Sequence, residues 1–195
     1  NAGNEIMARL AYMNFKKLLT HTHDICRQVN LDEWRPDYIV GITRGGMLPA
    51  KLISHYYNLP MYTLDIRLRQ DSGTGPESNE RMARDAYGYN NIDHAAGIFS
   101  SKKNILIVDD INDSGATFIH LQKDWQNTCN THHANQGSEF VNDRWDDIWG
   151  ENVRFAVIVE NTSSEFKGVT YYSREINKLE DDVWIVFPWE EWWTL

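Results

Sequence analysis

One segment of this chain, residues 105–117, constrains the fold more than any other. It reads ILIVDDINDSGAT: four branched apolar residues, two adjacent carboxylates, a third carboxylate three positions on, and a small-residue turn. A short, continuous apolar run of this kind is typical of a buried strand in a parallel sheet. The turn then opens a helical pattern, and a helix N-terminus offers unpaired N–H groups to an anion. The segment therefore predicts an α/β fold with a phosphate site at a strand end.

The carboxylates in this segment narrow the ligand further. Asp109 and Asp110 would repel a neighbouring phosphate unless they hold sugar hydroxyls or a metal ion. The combination indicates a ligand with a phosphate, vicinal hydroxyls and Mg²⁺, which describes a phosphorylated ribose. The alternative is an ordinary helix cap formed by Asp113 and Ser114, but capping accounts for only one of the three carboxylates.

Helix and strand patterns alternate along the rest of the chain. We predict an amphipathic helix from Phe15 to Val29, a helix over about residues 48–57 and a helix that ends near Trp125. Apolar runs predict strands over residues 38–42, 61–66, 105–108, 153–159 and 183–187. The alternation predicts a Rossmann-like parallel sheet with helices on both faces. Two polar stretches, residues 67–103 and 126–150, are predicted to be irregular.

Composition limits the class of protein and its partners. The 195 residues, 42% of them hydrophobic, suit one domain with its own core. A formal net charge of −9 argues against a nucleic-acid partner. No apolar run reaches membrane-spanning length and no signal-like pattern opens the sequence, so we expect no membrane partner and a cytoplasmic location.

The motif Val-Asp-Asp-Ile-x-Asp-Ser-Gly-x-Thr at residues 108–117 resembles the phosphoribosyl-pyrophosphate (PRPP) signature of the type I phosphoribosyltransferases. The resemblance implies the fold of that family with a small C-terminal hood. It also implies an enzyme that transfers the phosphoribosyl group of PRPP to a base and releases pyrophosphate. In this reading Asp109 and Asp110 hold the ribose hydroxyls, directly or through Mg²⁺. The 5′-phosphate would lie on Ser114, Gly115, Ala116 and Thr117.

The resemblance gives Asp113 a different role. In the 6-oxopurine members of the family, the acidic residue at this position meets N7 of the purine and accepts or relays its proton. Asp113 is therefore the expected catalytic residue beside the base, and a helix cap remains the alternative for its side chain.

Two further segments resemble the parts of the family that bind pyrophosphate. Thr43-Arg44-Gly45-Gly46 follows a predicted strand and is similar to the pyrophosphate loop, in which Gly45 and Gly46 allow close backbone approach and Arg44 supplies a forked cation. The polar stretch 67–103 occupies the place of the catalytic flap, with Arg67 at its base within reach of pyrophosphate.

The C-terminal segment 183–190, VWIVFPWE, resembles the purine-binding hood of the xanthine-guanine branch. The resemblance implies that Trp184 stacks on the base and that the carbonyl of Ile185 reads its edge. The other tryptophans near the C-terminus are expected to be ordinary core residues or, alternatively, to be buried against another subunit; they are Trp189, Trp192 and Trp193. A homodimer or homotetramer is usual in this family.

One residue departs from the family pattern. Relatives usually carry a lysine after the strand that matches residues 153–159, where it contacts the purine 6-oxygen, and this chain has Glu160. A carboxylate accepts hydrogen bonds and donates none unless it is protonated. Three explanations stay open: a shifted alignment, another donor such as Lys167, or an acceptor base other than a 6-oxopurine. An amino-bearing base would suit Glu160 as a base-binding residue.

These observations define one organisation and three functions. The chain is expected to be a single domain, residues 1–195, with a core over about 36–160, a flap over 67–103, an insertion over 126–150 packed at a subunit contact by Trp145 and Trp149, and a hood over 160–195. The leading hypothesis is a Mg²⁺-dependent transferase of purine salvage that uses guanine, xanthine or hypoxanthine. The alternatives are a non-catalytic PRPP-binding regulator and a transferase for another base.

Overall fold

A five-stranded parallel sheet forms the centre of the computed structural model, which describes residues 8–66, 76–88, 102–136 and 145–194, with the side chains of all but 76–78 and 131–136. The strand order is β3-β2-β4-β5-β6, and every pairing is parallel. The strands are β2 (Tyr38–Ile42), β3 (Met61–Leu64), β4 (Ile105–Asn112), β5 (Val153–Asn161) and β6 (Val169–Ile176). The sheet confirms the predicted α/β class.

Helices cover both faces of this sheet, as predicted. They are α1 (Phe15–Leu31), α2 (Met47–Tyr57), α3 (Pro76–Tyr87) and α4 (Ala116–Gln136). Successive residues of a strand point to opposite faces. Ile105 and Ile107 pack in the buried cluster with α3 and α4, whereas Leu106 and Val108 pack with α1 and α2. Because β4 is buried on both faces, its sequence is a continuous apolar run instead of an alternating one.

A second, two-stranded sheet forms the hood. β1 (Arg9–Tyr12) pairs in parallel with β7 (Val183–Val186), so the N-terminal part of the described chain meets its C-terminal part. Val183 and Ile185 are buried in the same cluster as Met13, which seats the hood on the α1–α2 side of the core. Neither β1 nor β6 was predicted from the sequence.

Both polar stretches contain more regular structure than the sequence predicted. Within 67–103, α3 buries Met82, Ala83 and Ala86 against α4, because its apolar stripe faces the sheet. Residues 67–75 and 89–101 lie outside the described part of the chain, so the flap itself stays a prediction. α4 continues to Gln136, beyond the expected end near Trp125.

The tryptophans are also placed differently from the predictions. Trp145 is buried and stacks on Trp149 with ring centroids 5.1 Å apart, so these two rings pack inside their own chain instead of forming a subunit contact. Trp192 and Trp193 are not core residues, since 64% and 69% of their surfaces are exposed. Trp189 is partly buried and stacks on Phe187. No helix in the described ranges has the length and apolar character to span a membrane.

Candidate active site

The loop after β2, residues 43–46, packs directly against the end of β4. A Cβ atom on Gly46 would overlap the carbonyl oxygen of Val108, and one on Gly45 would overlap the carboxylate of Asp110. Only glycine fits at either position without moving the loop or the Asp110 side chain. The approach of these glycines to an anion stays a prediction. The packing brings the predicted pyrophosphate loop beside the predicted ribose carboxylates.

The paired carboxylates at the end of β4 are held by their own backbone. Asp109 is 8% exposed, and its Oδ1 accepts from the Asp110 N–H at 2.9 Å. The Oδ1 of Asp110 accepts from the Ile111 N–H at 2.8 Å. Burial and the neighbouring charge of Asp110 raise the pKa of Asp109 well above its ordinary range. Burial, together with the weaker effect of the Glu190 charge, raises the pKa of Asp110 to about 6.

These shifts mean that the ionised pair is destabilised unless a cation lies beside it. In the described ranges no group of three His, Cys, Asp or Glu side chains is placed to hold a metal ion. The chain therefore offers Asp109 and Asp110 as partial ligands for a hard cation. Mg²⁺ is often bound in this way, through one or two carboxylates together with substrate oxygens and water.

The turn into α4 forms a small anion-sized cavity. The cavity has a volume of about 190 Å³ and is lined by the backbone and side chains of residues 109–115, Thr117 and Phe118. Gly115 has a φ of +91°, and a Cβ atom there would lie 2.5 Å from the Phe166 nitrogen. The N–H groups of the first turn of a helix have no helical partner and favour an anion. Three of the four predicted phosphate residues, Ser114, Gly115 and Thr117, therefore line one cavity, and Ala116 lies between them in the chain.

The contacts of this turn separate the roles of its first two residues. The Oγ of Ser114 accepts from the Ala116 N–H at 3.3 Å, a local contact with the first residue of α4. The Asp113 carboxylate instead accepts from the Nζ of Lys178 at 2.9 Å. The Ser114 side chain thus bonds the start of α4, whereas the side chain of Asp113 bonds Lys178 beside the hood.

Asp113 and Lys178 lie beside the predicted stacking residue. The Nζ of Lys178 is 5.3 Å from the centroid of the Trp184 ring, whose surface is 53% exposed. Asn161 joins the two backbones, because its Nδ2 donates to the Asp113 carbonyl at 3.0 Å and its Oδ1 accepts from the Lys178 N–H at 3.1 Å. Sequence analysis found neither Lys178 nor Asn161, and no local pattern marks them, since Asp113 and Lys178 are 65 positions apart.

Glu160 belongs to a buried network behind the phosphate turn. The Nδ2 of Asn112 lies 3.0 and 3.1 Å from the two carboxylate oxygens of Glu160, and it also donates to the Phe166 carbonyl at 3.0 Å. The Oδ1 of Asn112 accepts from the Ser164 hydroxyl at 3.0 Å. Burial raises the pKa of Glu160 to about 7. Since Phe166 and Ser164 contact the turn at Gly115, this network supports the phosphate cavity.

Three predicted residues remain to be placed. Lys167, the alternative donor, gives its Nζ to the Thr162 carbonyl at 2.6 Å. Ile185 is buried in the hood, and the role of its carbonyl stays a prediction. Arg67 lies outside the described residues.

A larger cavity of about 710 Å³ lies between the loop at residues 43–46 and the hood. Arg44 and Gly45 line it on the loop side, Asp110 and Glu190 line it beside the carboxylate pair, and Trp184 lines it on the hood side. Asp110 also lines the smaller cavity at the α4 turn. The two cavities are therefore adjacent, and Asp110 lies between the candidate phosphate and base positions.

A family model described as the phosphoribosyl transferase domain matches residues 11–123, which is more than half of the chain. The chain belongs to the phosphoribosyltransferase family. The matched range contains the loop at 43–46 and the carboxylate segment 109–117, so both motifs lie within the family domain. The family and the enzyme class predicted from the sequence are confirmed.

Two relatives with purine names match this phosphoribosyltransferase. The hypoxanthine-guanine phosphoribosyltransferase of Schizosaccharomyces pombe is 23% identical over 184 residues, which cover 86% of this chain and 84% of the relative. Xanthine phosphoribosyltransferase 1 of Saccharomyces cerevisiae is 30% identical over 126 residues, which cover 60% of this chain and 58% of the relative.

Solved structures confirm the fold. The purine phosphoribosyltransferase of Pyrococcus horikoshii superposes with a TM-score of 0.58 at 18% identity, covering 93% of this chain and 95% of that one. The xanthine-guanine-hypoxanthine phosphoribosyltransferase of Helicobacter pylori superposes with a TM-score of 0.58 at 20% identity, covering 95% and 97%. At these identities the likeness establishes the architecture, including the predicted parallel sheet flanked by helices.

Proposed function

We propose that this phosphoribosyltransferase transfers the 5-phosphoribosyl group of PRPP to a 6-oxopurine, namely guanine, xanthine or hypoxanthine. The observation that carries the proposal is that Asp110 lines both cavities, which places them side by side. The smaller cavity offers helix N–H groups to a phosphate, and the larger one offers an exposed tryptophan ring to a base. The purine names of both relatives support the same acceptor class.

The residues that line the two cavities suggest one orientation for PRPP in this site. Its 5′-phosphate lies in the turn formed by Ser114, Gly115, Ala116 and Thr117, where helix N–H groups and two hydroxyls converge. Its ribose hydroxyls face Asp109 and Asp110, and its pyrophosphate faces the loop that carries Arg44. An arginine fork suits a pyrophosphate because it binds phosphate oxygens in pairs.

The carboxylate pair fits a Mg²⁺ ion that is shared with PRPP. Burial is the main cause of the raised pKa values of Asp109 and Asp110, and neighbouring carboxylates add to it, so a divalent cation beside the pair would favour its ionised form. A bound Mg²⁺ ion supplies positive charge that stabilises pyrophosphate as a leaving group.

The base end completes the transfer. A ring nitrogen of the purine forms the bond to the anomeric carbon as the bond to the pyrophosphate oxygen breaks. The purine stacks on Trp184, and Asp113 takes the proton that the imidazole ring of the purine loses. The carboxylate of Asp113 is 43% exposed and faces the hood, so a base that enters beside Trp184 reaches it.

The test is PRPP turnover with Mg²⁺ against hypoxanthine, guanine, xanthine, adenine, uracil and orotate, with pyrophosphate release and nucleotide formation followed together. We expect base-dependent nucleotide formation with 6-oxopurines that collapses in Asp113→Asn. The matched control is Asp146→Asn, a carboxylate on the exposed surface that lines neither cavity. PRPP binding with no turnover on any base would overturn the proposal and favour a PRPP-binding regulator.

We also infer that the enzyme is a homodimer or homotetramer in the cytoplasm. The exposed rings of Trp192 and Trp193 offer an apolar surface of the kind that subunit contacts bury. Light scattering of the wild type and of a Trp192→Ser, Trp193→Ser variant tests the assembly, and a monomeric mass for the wild type would contradict it.

A further inference from the structure

We propose that Lys178, from the turn between β6 and β7, is the residue that recognises the 6-oxygen of the purine. The inference rests on the proposed function. It answers the question raised by Glu160, which stands where relatives carry a lysine. The ammonium group for this role comes from a different element of the fold.

The position of Lys178 is set by the same contacts that set Asp113. Its Nζ lies 2.9 Å from the Asp113 Oδ2 and 5.3 Å from the Trp184 ring centroid. Asn161 is buried and bonds the backbones of both residues, so donor and acceptor are held as one unit. Only 18% of the Lys178 side chain is exposed, which limits the rotamers available to it.

This arrangement matches one edge of a 6-oxopurine. N7 and the 6-oxygen are neighbouring atoms on that edge. Asp113 supplies an acceptor for a proton on N7, and Lys178 supplies a donor for the 6-oxygen beside it. An ammonium group has three donors and no acceptor, so Lys178 can bond Asp113 and the 6-oxygen together. Trp184 lies against Lys178 and presents a ring face to the purine.

The same chemistry rejects an aminopurine. The 6-amino group of adenine donates, and a lysine ammonium cannot accept, so an adenine in this pose leaves two donors facing each other. Sites built to hydrogen-bond one substituent discriminate strongly against an analogue that leaves the buried group unpaired. Lys178 therefore selects for 6-oxopurines as a class and does not distinguish among them.

Two other candidates for this role are occupied elsewhere. The carboxylate of Glu160 is engaged by Asn112 on the far side of the phosphate turn. The Nζ of Lys167 donates to the Thr162 carbonyl at 2.6 Å and, in the described ranges, has no polar or cation–π contact with Asp113 or Trp184. A purely stabilising ion pair would account poorly for Lys178, because pairs with one partner as exposed as Asp113 contribute little to folding.

The experiment compares hypoxanthine, adenine and unsubstituted purine as acceptors at saturating PRPP and Mg²⁺. The variants are Lys178→Met, Lys178→Gln and the matched control Lys167→Met. We expect Lys178→Met to lower kcat/KM for hypoxanthine by roughly tenfold to hundredfold, as for a lost hydrogen bond to a charged group. Unsubstituted purine has no 6-oxygen, so its kcat/KM should stay nearly constant and the ratio of the two should collapse.

Lys178→Gln adds an outcome that damage to the fold cannot produce. A glutamine amide both donates and accepts, so the ratio of adenine to hypoxanthine turnover should rise. Lys167→Met should leave both ratios at the wild-type value. The PRPP-induced rise in melting temperature, measured for each variant, reports whether the phosphate end is intact.

Each outcome decides the inference. Equal losses with hypoxanthine and unsubstituted purine in Lys178→Met would overturn it and leave Lys178 a structural residue, and so would no loss at all. If Lys178→Met does not fold, an unchanged adenine ratio in Lys178→Gln overturns it. A wild type that turns over no purine defeats the proposed function and this inference together, which is distinct from an active wild type with unchanged ratios.

Discussion

The two ends of the site are built in different ways. The proposed phosphate and sugar end consists of two short contiguous segments, residues 43–46 and 109–117, which pack together at Gly45 and Gly46, where a Cβ atom would overlap β4 or the Asp110 side chain. The base end is assembled from separate segments, because Asp113 follows β4, Lys178 follows β6 and Trp184 lies on β7. Its contacts run between side chains that are partly exposed.

This difference indicates which end of the site can change its base specificity while phosphoribosyl transfer is kept. Tight glycine turns tolerate few substitutions, and backbone N–H groups have no side-chain substitute, so the proposed PRPP end allows little change of sequence. Side chains from different elements can exchange roles when their end groups reach the same point. A glutamate in the usual lysine position is therefore compatible with the same chemistry, provided that another lysine reaches the base.

The largest effect is expected from Asp110→Asn. This variant tests whether the carboxylate pair supports catalysis while it lowers the stability of the free protein. We expect kcat to fall by roughly a thousandfold, since the variant removes charge that holds the ribose and its cation. Without Mg²⁺ and PRPP, the same variant should melt at a higher temperature at pH 8. The control is Asp146→Asn, which should change neither quantity.

The pH dependence of that stability has a defined sign. The pKa of Asp110 is about 6 in the folded protein, above the value of roughly 4 expected in the unfolded chain. The folded state therefore binds the proton more tightly, and stability is lost as pH rises from about 4 to about 6. Asp110→Asn should therefore melt at a higher temperature than wild type, with the largest difference above about pH 6 and no difference below about pH 4. An equal difference at all pH values would contradict the raised pKa.

The next largest effect is expected from Gly115→Ala, which tests the rigidity of the PRPP end. The new Cβ would lie 2.5 Å from the Phe166 nitrogen, so the phosphate turn must move. We expect kcat/KM for PRPP to fall about a hundredfold, as for other small displacements of positioning groups.

Gly150→Ala is the matched control for that variant. Gly150 has a φ of +84°, close to the +91° of Gly115, but a Cβ atom there meets no atom within 4 Å. It should lose only about 1–2 kcal/mol of stability from backbone strain and keep full activity. Equal losses of activity in the two variants would show that backbone strain, and not the contact with Phe166, sets the turn.

A smaller effect is expected at the base end from Trp184→Leu. Losing the stacking ring should raise KM for the purine by roughly 5- to 100-fold while the KM for PRPP stays constant. Steady-state kinetics with each substrate varied in turn separates the two constants. Trp192→Leu, at an exposed ring that lines neither cavity, is the control. A parallel rise of both KM values would show that the two ends are not independent.

The smallest effect is expected from Glu160→Gln, which separates positioning from base recognition. The pKa of Glu160 is about 7, above the roughly 4.3 of the unfolded chain, so its charge destabilises the fold increasingly as pH rises between these values. The variant should melt a few degrees higher at pH 8, about 2–4 °C per kcal/mol, and like wild type at pH 4. Differential scanning calorimetry at the two pH values measures this.

Base preference decides which role Glu160 has. The Oε1 of a glutamine can still accept from Asn112, so the ratio of hypoxanthine to adenine turnover should not change. A shift of that ratio would restore Glu160 as a base-reading residue. Glu165→Gln, at an exposed position in the same loop, is the control for the loss of a charge.

The elements that were not predicted, β1, β6 and α3, each have a weak local sequence pattern. β6 forms one edge of the main sheet and reads VTYYSREI, so polar residues interrupt the apolar run that marked the central strands. β1 has only four residues, and its pairing depends on β7 at the other end of the chain. α3 was missed because its apolar stripe is narrow and the rest of the segment is polar.

The features that could be predicted from the sequence are those in which neighbouring residues act together. The continuous run of β4, the glycine turns and the carboxylate pair are local features, because backbone geometry and adjacent charges need no distant partner. The arrangement of the proposed base end depends on the three-dimensional fold. The hydrogen bonds from Asn112 to Glu160 and from Lys178 to Asp113 could not be predicted from the sequence. Those contacts join positions dozens of residues apart, and they exist because parallel strands end at one edge of the sheet.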